Sequence, residues 1–247
     1  MQGDESALIS TSTSTSNSTT TQPLLKADKV SRVYGKGSQA VHALKGAELV
    51  VYPGQLIALK GRSGSGKTTL LNILAALDQP TDGAVYHGTR DTAAMSERQR
   101  NELRRKEVGL IFQSFALVPY MTAYENVEFG LRIAGIESKL RKAWAEEALQ
   151  FVGLKQRMHH LPPEMSGGEQ QRTAIARAIA HKPKLVLADE PTAELDSKMG
   201  LQVLKVFRDL VAQDGISILL TTHDPAIMEI VDHVYELEDG LIVQQSV

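Results

Sequence analysis

Continuous apolar runs and helically spaced apolar positions alternate along most of the chain. Residues 56–59, 185–188 and 216–220 are short runs in which nearly every side chain is apolar. Such runs are typical of strands that a parallel sheet buries on both faces. Apolar residues also recur at helical spacing further on, at Val203, Val206, Phe207 and Leu210. The spacing predicts a helix laid on the sheet, and the whole pattern predicts an α/β fold.

Two other groups of elements are indicated by the pattern. Strand-like segments surround residues 30–34 and 47–52, ahead of the first apolar run. Residues 122–134 and 138–152 are candidate helices, and we assign them to an inserted helical subdomain of about residues 114–165. The inserted helices separate the early part of the predicted sheet from its later strands.

Serine and threonine fill residues 10–21 almost without interruption, broken only by Asn17. A polar tract of this kind cannot bury enough apolar surface to order itself. We therefore expect a disordered tail over residues 1–24 and a single folded domain over residues 25–247.

Composition narrows the function classes. The chain has 247 residues, no cysteine and a formal net charge of −2, which gives no electrostatic footprint for nucleic acid. The basic stretch at residues 98–106 is interspersed with glutamates, so we interpret it as a solvated helix face. Residues 1–10 lack the basic and apolar regions of a secretory signal, and no apolar stretch approaches the length of a membrane span. These features predict a cytoplasmic protein.

A glycine-rich loop follows the first apolar run and precedes an apolar helical segment, which is the context that a phosphate loop requires. Backbone N–H groups of such a loop surround phosphates, Lys67 neutralises phosphate oxygens, and Thr68 offers a hydroxyl to Mg²⁺. A flexible Gly/Ser turn is the alternative. The predicted nucleotide contacts here are Gly61, Arg62, Ser63, Gly64, Ser65, Gly66, Lys67, Thr68 and Thr69.

An acidic pair ends the second apolar run. Ligands of open α/β sheets bind beyond the carboxyl ends of the strands, where Asp189 and Glu190 are expected. Asp189 is a candidate Mg²⁺ ligand, and Glu190 is a candidate for polarising the water that attacks a γ-phosphate. Taken alone, the pair could instead cap a helix N-terminus.

A second candidate anion site lies at Ser166-Gly167-Gly168-Glu169. Ser166 and Glu169 predict a helix N-terminus with a capping box. The capping box does not explain the two glycines, which favour close approach of the backbone to another group. A helix N-terminus offers free N–H groups and a positive dipole end, both of which favour an anion.

With these motifs in this order, the chain resembles the nucleotide-binding subunits of ABC transporters over residues 27–245. The resemblance implies a P-loop NTPase core, which is a mostly parallel sheet with helices on both faces. It also implies an antiparallel β subdomain, an inserted α-helical subdomain, and ATP and Mg²⁺ as ligands. Within the family, the chain looks most like the lipoprotein-release and macrolide-export branch. Met165, Ala193 and Glu194 depart from the usual motifs of that branch.

The resemblance also implies roles for single residues. Tyr34 matches the aromatic residue that stacks on adenine, although it could be an ordinary strand residue. Gln113 matches the glutamine that contacts Mg²⁺ and senses nucleotide, although it could be a surface amide. Asp196 matches a dimer-contacting aspartate and His223 the γ-phosphate histidine. The signature motif of the family corresponds to Ser166, Gly167, Gly168 and Glu169, and the catalytic set to Glu190, His223, Lys67 and Gln113.

Partners follow from the same resemblance. Two copies are expected to pair head to tail, so that each ATP lies between Lys67 of one copy and Ser166 of the other. An integral membrane permease subunit is expected to receive the motion, at the inner face of the cell membrane, for export or extraction of a substrate. The apolar stretch at residues 115–121 is a candidate contact, unless it packs within the helical insertion. The competing hypothesis is a soluble ABC ATPase of DNA repair or translation.

Overall fold

The apolar runs fall in strands of one sheet in the computed structural model, which describes residues 22–246. Within these residues the strands are β1 (Leu25–Tyr34), β2 (Val41–Val51), β3 (Leu56–Lys60), β4 (Asp82–His87), β5 (Arg90–Asp91), β6 (Val108–Ile111), β7 (Leu185–Ala188), β8 (Ser217–Thr222), β9 (His233–Glu238) and β10 (Leu241–Ser246). The α-helices are α1 (Lys67–Leu74), α2 (Glu97–Glu107), α3 (Ala123–Ala134), α4 (Ser138–Phe151), α5 (Gly167–Ile179), α6 (Ser197–Asp214) and α7 (Pro225–Met228).

The strands form two sheets. The six-stranded sheet has the order β10-β9-β3-β8-β7-β6, and its neighbours pair in parallel except β10, which runs antiparallel to β9 at the edge. The four-stranded sheet is antiparallel, with the order β2-β1-β4-β5. The predicted fold class, a mostly parallel core with an antiparallel β subdomain and inserted helices, is confirmed.

Alternate residues of each central strand belong to two different hydrophobic cores. Leu56 and Ala58 of β3 pack in the core that contains Phe207 of α6, whereas Ile57 and Leu59 pack in the core beneath the antiparallel sheet. All four strand residues are fully buried. Helices cover one face of the six-stranded sheet and the antiparallel sheet covers the other, so polar residues are excluded from both faces of the central strands. This burial explains why the central strands are continuous apolar runs rather than alternating ones.

The helical insertion begins with a reciprocal cap. Thr122 Oγ1 accepts a hydrogen bond from Glu125 N at 3.2 Å, and Glu125 Oε2 accepts one from Thr122 N at 2.7 Å. The α3 helix ends at Gly135, whose φ of 80° suits the left-handed conformation that stops a helix. The two observed helices, α3 and α4, agree within one residue with the predicted ranges 122–134 and 138–152.

The basic stretch at residues 98–106 lies in α2, a mostly exposed helix with Leu103 buried. Its charges are paired along the helix, for example Arg100 with Glu97 at 2.8 Å and Lys106 with Glu102 at 2.7 Å. Each pair includes an exposed glutamate, and surface pairs of this kind contribute little to stability. The interpretation as a solvated helix face agrees with this geometry.

Residues 1–21 of the predicted tail lie outside the described part of the chain. Just after this segment, Leu24 N donates a hydrogen bond to Val51 O at 2.8 Å. Among residues 22–246, none of the helices combines the length and the apolar character that crossing a bilayer requires.

Candidate active site

The parallel strands β6, β7, β8 and β3 present their carboxyl ends at one edge of the six-stranded sheet. The glycine-rich loop follows β3, and the acidic pair follows β7. His223 follows β8 directly, and Gln113 lies two positions beyond the end of β6. The order of these strands in the sheet differs from their order in the chain, and this crossover brings distant motifs to the same edge.

The glycine-rich loop connects β3 to the N-terminus of α1. Gly66, the N-cap of α1, has a φ of 107°, which residues with a Cβ rarely adopt. A Cβ at this position would also lie 2.5 Å from Ala43 O of β2. The loop therefore lies so close to the antiparallel sheet that only glycine fits at position 66. Its free N–H groups and the dipole of α1 favour an anion.

Lys67 is the buried cation of the site. Its side chain is only 6 % exposed, and Nζ donates hydrogen bonds to Gly61 O at 2.9 Å and Arg62 O at 3.2 Å. Glu190 Oε1 lies 3.5 Å from the same Nζ. Burial removes the water that would screen this charge, which strengthens its attraction to an anion at the loop.

The acidic pair contacts the loop directly. Thr68 Oγ1 donates a hydrogen bond to Asp189 Oδ2 at 2.9 Å, although 121 positions separate the two residues in sequence. Glu190 has a φ of 42°, in the left-handed region. Non-glycine residues in this region are uncommon, and they cluster at functional sites where surrounding contacts hold them. Lys67, Thr68, Asp189 and Glu190 thus form one connected cluster, which we call the strand-end cluster.

His223 joins the strand-end cluster at its exposed side. Its Nδ1 lies 3.4 Å from Glu190 Oε2, and its side chain is 68 % exposed. The histidine therefore contacts the acidic side chain and remains accessible to a ligand above the sheet edge.

Thr221 belongs to the cluster and was missed by the sequence patterns. It is fully buried, and its Oγ1 donates to Asp189 Oδ1 at 2.7 Å and accepts from Glu190 N at 2.8 Å. The signal available in the sequence was a hydroxyl at the end of an apolar run, two positions before His223. That signal is weak, since the pairing of β7 with β8 is what brings Thr221 to the acidic pair.

Gln113 and Tyr34 lie outside this hydrogen-bond network. Gln113 is exposed, and none of the hydrogen bonds between described residues joins it to the cluster. The hydroxyl of Tyr34 donates to Asp78 Oδ2 at 3.0 Å, and the Arg32 guanidinium lies 4.6 Å from the centre of its ring. Both residues are accessible to a ligand, and their assigned roles stay predictions.

The loop after Gln113 is tied to α5 and α3. Phe115 and Ala116 both have positive φ values, 58° and 48°. Arg177 of α5 donates to the carbonyl of Phe115 at 2.9 Å and also to the carbonyl of Ala116. Asn126 of α3, which is buried, accepts from Val118 N at 2.8 Å. These contacts join the loop to the helix that carries the second anion motif.

The second anion motif is the beginning of α5. Ser166 Oγ accepts from Glu169 N at 3.3 Å, and Glu169 Oε2 accepts from Ser166 N at 2.9 Å, as the predicted capping box requires. The hydrogen bond from the Ser166 backbone lowers the pKa of the Glu169 carboxyl, and the Ser166 hydroxyl and Arg157 add to this effect. Within residues 22–246, none of the observed hydrogen bonds joins residues 166–169 to the strand-end cluster.

The two glycines of this motif have different surroundings. A Cβ at Gly168 would lie 2.7 Å from Met199 Sδ and 3.3 Å from Met199 Cβ, so α5 and α6 pack closely there. A Cβ at Gly167 would meet its nearest atom, Glu194 O, only at 3.7 Å. Asp196 caps α6 by accepting from Met199 N at 2.9 Å. Packing within the chain therefore explains Gly168 and leaves Gly167 unexplained.

The donor set of the strand-end cluster fits Mg²⁺ bound together with phosphate. Thr68 and Asp189 supply a hydroxyl and a carboxylate oxygen, and Mg²⁺ prefers oxygen ligands, keeping few protein groups alongside phosphate oxygens. In the part of the chain that the structure describes, no group of three or more His, Cys, Asp and Glu side chains could hold a metal ion by itself. The arrangement favours a metal–phosphate complex over a metal site formed by protein alone.

Comparison with known proteins places the chain in a family. The family model described as "ABC transporter" matches residues 44–193. An uncharacterized ABC transporter ATP-binding protein of Methanocaldococcus jannaschii is 43 % identical over 221 residues, covering 90 % of this chain and 98 % of the relative. The lipoprotein-releasing system ATP-binding protein LolD 1 of Rhodospirillum rubrum is 42 % identical over 222 residues, covering 90 % and 98 %.

Two further matches support the same family: one is a relative with a longer chain, and the other is a protein of known structure. The macrolide export ATP-binding/permease protein MacB of Marinobacter nauticus is 42 % identical over 225 residues, which are 91 % of this chain and 35 % of MacB. The dimeric, post-hydrolysis structure of the ATP-binding cassette MJ0796, bound to ADP and Pi, superposes with a TM-score of 0.83 at 36 % identity. That match covers 90 % of this chain and 97 % of the solved chain. Together with the fold and the strand-end cluster, these matches show that the chain belongs to the ABC transporter family, as an ATP-hydrolysing cassette.

Proposed function

We propose that the strand-end cluster binds MgATP and hydrolyses it, and that two copies of the chain complete each ATP site. The observation that supports this most directly is the connection of Lys67, Thr68, Asp189 and Glu190 at the N-terminus of α1. A buried cation, a hydroxyl and two carboxylates converge where a helix dipole favours phosphate. These groups match the needs of phosphoryl transfer, which are positioning and electrostatic stabilisation.

Each residue of the cluster has a separate task in this proposal. Lys67 exchanges its hydrogen bonds to the loop carbonyls for phosphate oxygens. Thr68 and Asp189 would hold Mg²⁺, whose charge would offset that of the phosphates. Glu190 orients and polarises the attacking water, and His223, which lies 3.4 Å from it, contacts the γ-phosphate. Gln113 approaches the metal side of the site, and Tyr34 stacks on adenine.

The second half of the site comes from α5 of another copy. Ser166 is exposed, and the N-terminus of α5 is not hydrogen-bonded to the strand-end cluster of its own chain within the described residues. No neighbouring atom of the described chain requires a glycine at position 167, which supports the approach of a phosphate group from another copy to this backbone. A structural neighbour is a dimer bound to ADP and Pi. A head-to-tail dimer places Ser166, Gly167 and Gly168 of one copy against the ATP on Lys67 of the other, with Asp196 near the interface.

A mixture of two inactive variants tests this arrangement. A dimer made only of Lys67→Ala chains, or only of Ser166→Arg chains, has two damaged ATP sites. A mixed head-to-tail dimer has one site with both defects and one intact site, because Lys67 and Ser166 of an intact site come from different copies. Mixing should therefore restore hydrolysis, measured as phosphate release. A chain carrying both substitutions, mixed with wild type, is the control, since each of its mixed sites has one defect. Failure of the first mixture to restore activity would contradict the arrangement.

The motion of the dimer is passed to a membrane permease subunit in this proposal, which places the chain on the inner face of the cell membrane. The relatives support it, since one is named for lipoprotein release and another joins ATP-binding and permease functions in its name. Tyr120, beside the loop tied to α5, is 90 % exposed. Phe115, by contrast, is half-buried and would be 4.0 Å from a Cβ at Gly167.

Tyr120 therefore gives the sharper test of a permease contact. Tyr120→Asp should leave the ATP hydrolysis of the isolated protein within about twofold of wild type, because it touches no reacting group. Co-purification of the permease subunit from membranes should be lost. Tyr86→Asp, a change of the same kind in the antiparallel sheet, is the control. If Tyr120→Asp still co-purified with the permease subunit at the wild-type level, Tyr120 would not be part of the permease contact.

A further inference from the structure

The strand-end cluster contains one buried hydroxyl to which the motifs give no role. We propose that Thr221 is a positioning residue, whose hydroxyl orients the Asp189 carboxylate toward the metal and holds the Glu190 backbone in its left-handed conformation. The proposal rests on the MgATP hydrolysis proposed above. Its consequence is that the geometry of both carboxylates depends on a single oxygen atom in β8.

The Thr221 hydroxyl acts as a donor to one residue of the acidic pair and as an acceptor from the other. It donates to Asp189 Oδ1 at 2.7 Å and accepts from Glu190 N at 2.8 Å. Threonine is stiff at χ1 because its Cβ is branched, so the oxygen has a fixed direction within the strand. The residue is fully buried, and water cannot easily replace these two bonds. The bonds therefore fix the side chain of Asp189 relative to the backbone of Glu190.

For Asp189, the consequence is a fixed carboxylate plane. Oδ1 is held from the buried side by Thr221, and Oδ2 accepts from Thr68 on the exposed side at 2.9 Å. The carboxylate thus turns Oδ2 toward the phosphate loop, where the metal is expected. Groups that orient a metal ligand from behind commonly change metal affinity or activity by about 10- to 100-fold when they are removed.

For Glu190, the consequence is a defined turn after β7. Its φ of 42° is uncommon for a residue with a side chain and needs support from its surroundings. Thr221 bonds the N–H of Glu190, and Ala193 N donates to the Glu190 carbonyl at 3.1 Å. The turn directs the side chain so that Oε1 lies 3.5 Å from Lys67 and Oε2 lies 3.4 Å from His223.

The same strand offers a matched control. Ser217, at the other end of β8, is also fully buried, and its Oγ accepts from Gly54 N at 2.8 Å and donates to Tyr52 O at 3.2 Å. Ser217→Ala removes a buried hydroxyl that joins two backbone groups, far from the sheet edge that carries the acidic pair. A general weakening of β8 should affect both variants, whereas loss of positioning should affect only Thr221→Val.

The experiment compares Thr221→Val, Thr221→Ser and Ser217→Ala in the full chain. Mg²⁺ is titrated against binding of a non-hydrolysable ATP analogue, and hydrolysis is measured in parallel. Thr221→Val should weaken Mg²⁺ binding and lower kcat by about 10- to 100-fold, with KM for ATP within about threefold. Thr221→Ser should stay within about threefold of wild type, since it keeps the hydroxyl, and Ser217→Ala should keep wild-type Mg²⁺ binding.

Hydrogen exchange of the Glu190 amide provides a readout that requires no nucleotide. In the wild type, NMR should show slow exchange at this amide, and in Thr221→Val the exchange should accelerate by about tenfold or more. Exchange of the wild-type amide at the rate of an exposed amide would overturn the proposal, even if Thr221→Val failed to fold. Equal loss of Mg²⁺ binding in Ser217→Ala would also overturn it. Absence of ATP-analogue binding by the wild type would instead contradict the proposed function.

Discussion

The strand-end cluster and the beginning of α5 both suit phosphate, yet they are organised differently. In the first region, contacts cross long stretches of sequence, such as the Thr68–Asp189 hydrogen bond between residues 121 positions apart. In the second, Ser166 and Glu169 bond each other within one helical turn. One region is assembled by the sheet, and the other is a local helix cap.

This difference matches the division of the ATP site between two copies in the proposed dimer. A buried charge such as Lys67 needs a defined environment, and the strand-end cluster supplies it within one chain. An exposed helix N-terminus needs no partner to be stable, because its capping box already satisfies two backbone groups. In the dimer proposed above, the beginning of α5 binds the phosphate group that another copy brings.

The largest effect is expected from Glu190→Gln. It keeps the shape of the side chain and removes the carboxylate to which the proposed mechanism gives the role of polarising water, so kcat should fall by about 10²- to 10⁴-fold. ATP binding should persist, since Lys67 keeps its place at the phosphate loop. Because the γ-phosphate is then retained, dimers should accumulate with ATP and Mg²⁺ in size-exclusion chromatography. Observation of monomers alone under these conditions would show that the two regions do not meet across a dimer.

A smaller effect, on stability rather than on catalysis, is expected from Gly168→Ala. The added Cβ would lie 2.7 Å from Met199 Sδ, and overpacking of this kind costs about 1–3 kcal/mol, of which the helix preference for alanine offsets about 0.5–1 kcal/mol. Chemical denaturation should show this loss in the isolated protein without nucleotide. In a double-mutant cycle, Gly168→Ala should cost much less in the Met199→Ala background, because that substitution removes the crowding atoms. Unchanged stability of Gly168→Ala alone would refute the packing explanation.

The smallest effect on stability is expected from Gly167→Ala, the matched change one position earlier. The nearest atom to the added Cβ is 3.7 Å away, and alanine is favoured over glycine in helices by about 0.5–1 kcal/mol. The free energy of unfolding should therefore stay equal or rise slightly. Phosphate release should nevertheless fall, because the backbone at this position faces ATP of the other copy in the proposed dimer. Wild-type hydrolysis by Gly167→Ala would argue against that contact.

The sequence was most informative where local chemistry decides the structure. The central strands were predictable because burial on two faces leaves only apolar residues. The helix cap at Ser166 was predictable because its donors and acceptors lie within four residues. Thr221 was not predictable, since its contacts depend on β7 lying beside β8 in the sheet. The contact of Gly168 with Met199 was missed for the same reason, because α5 and α6 are distant in sequence.

The sequence by itself determined the kinds of elements and their order, and it supplied candidate residues for phosphate chemistry, because periodicity, turn residues and caps act over a few positions. Tertiary structure alone decided which of these residues meet. The sheet order β3-β8-β7-β6 places the ends of strands from distant parts of the chain side by side. This order fixes the buried hydroxyl of Thr221 between Asp189 and Glu190. Hydrogen bonds across a sheet depend on neighbouring strands, and that adjacency is a property of the folded chain.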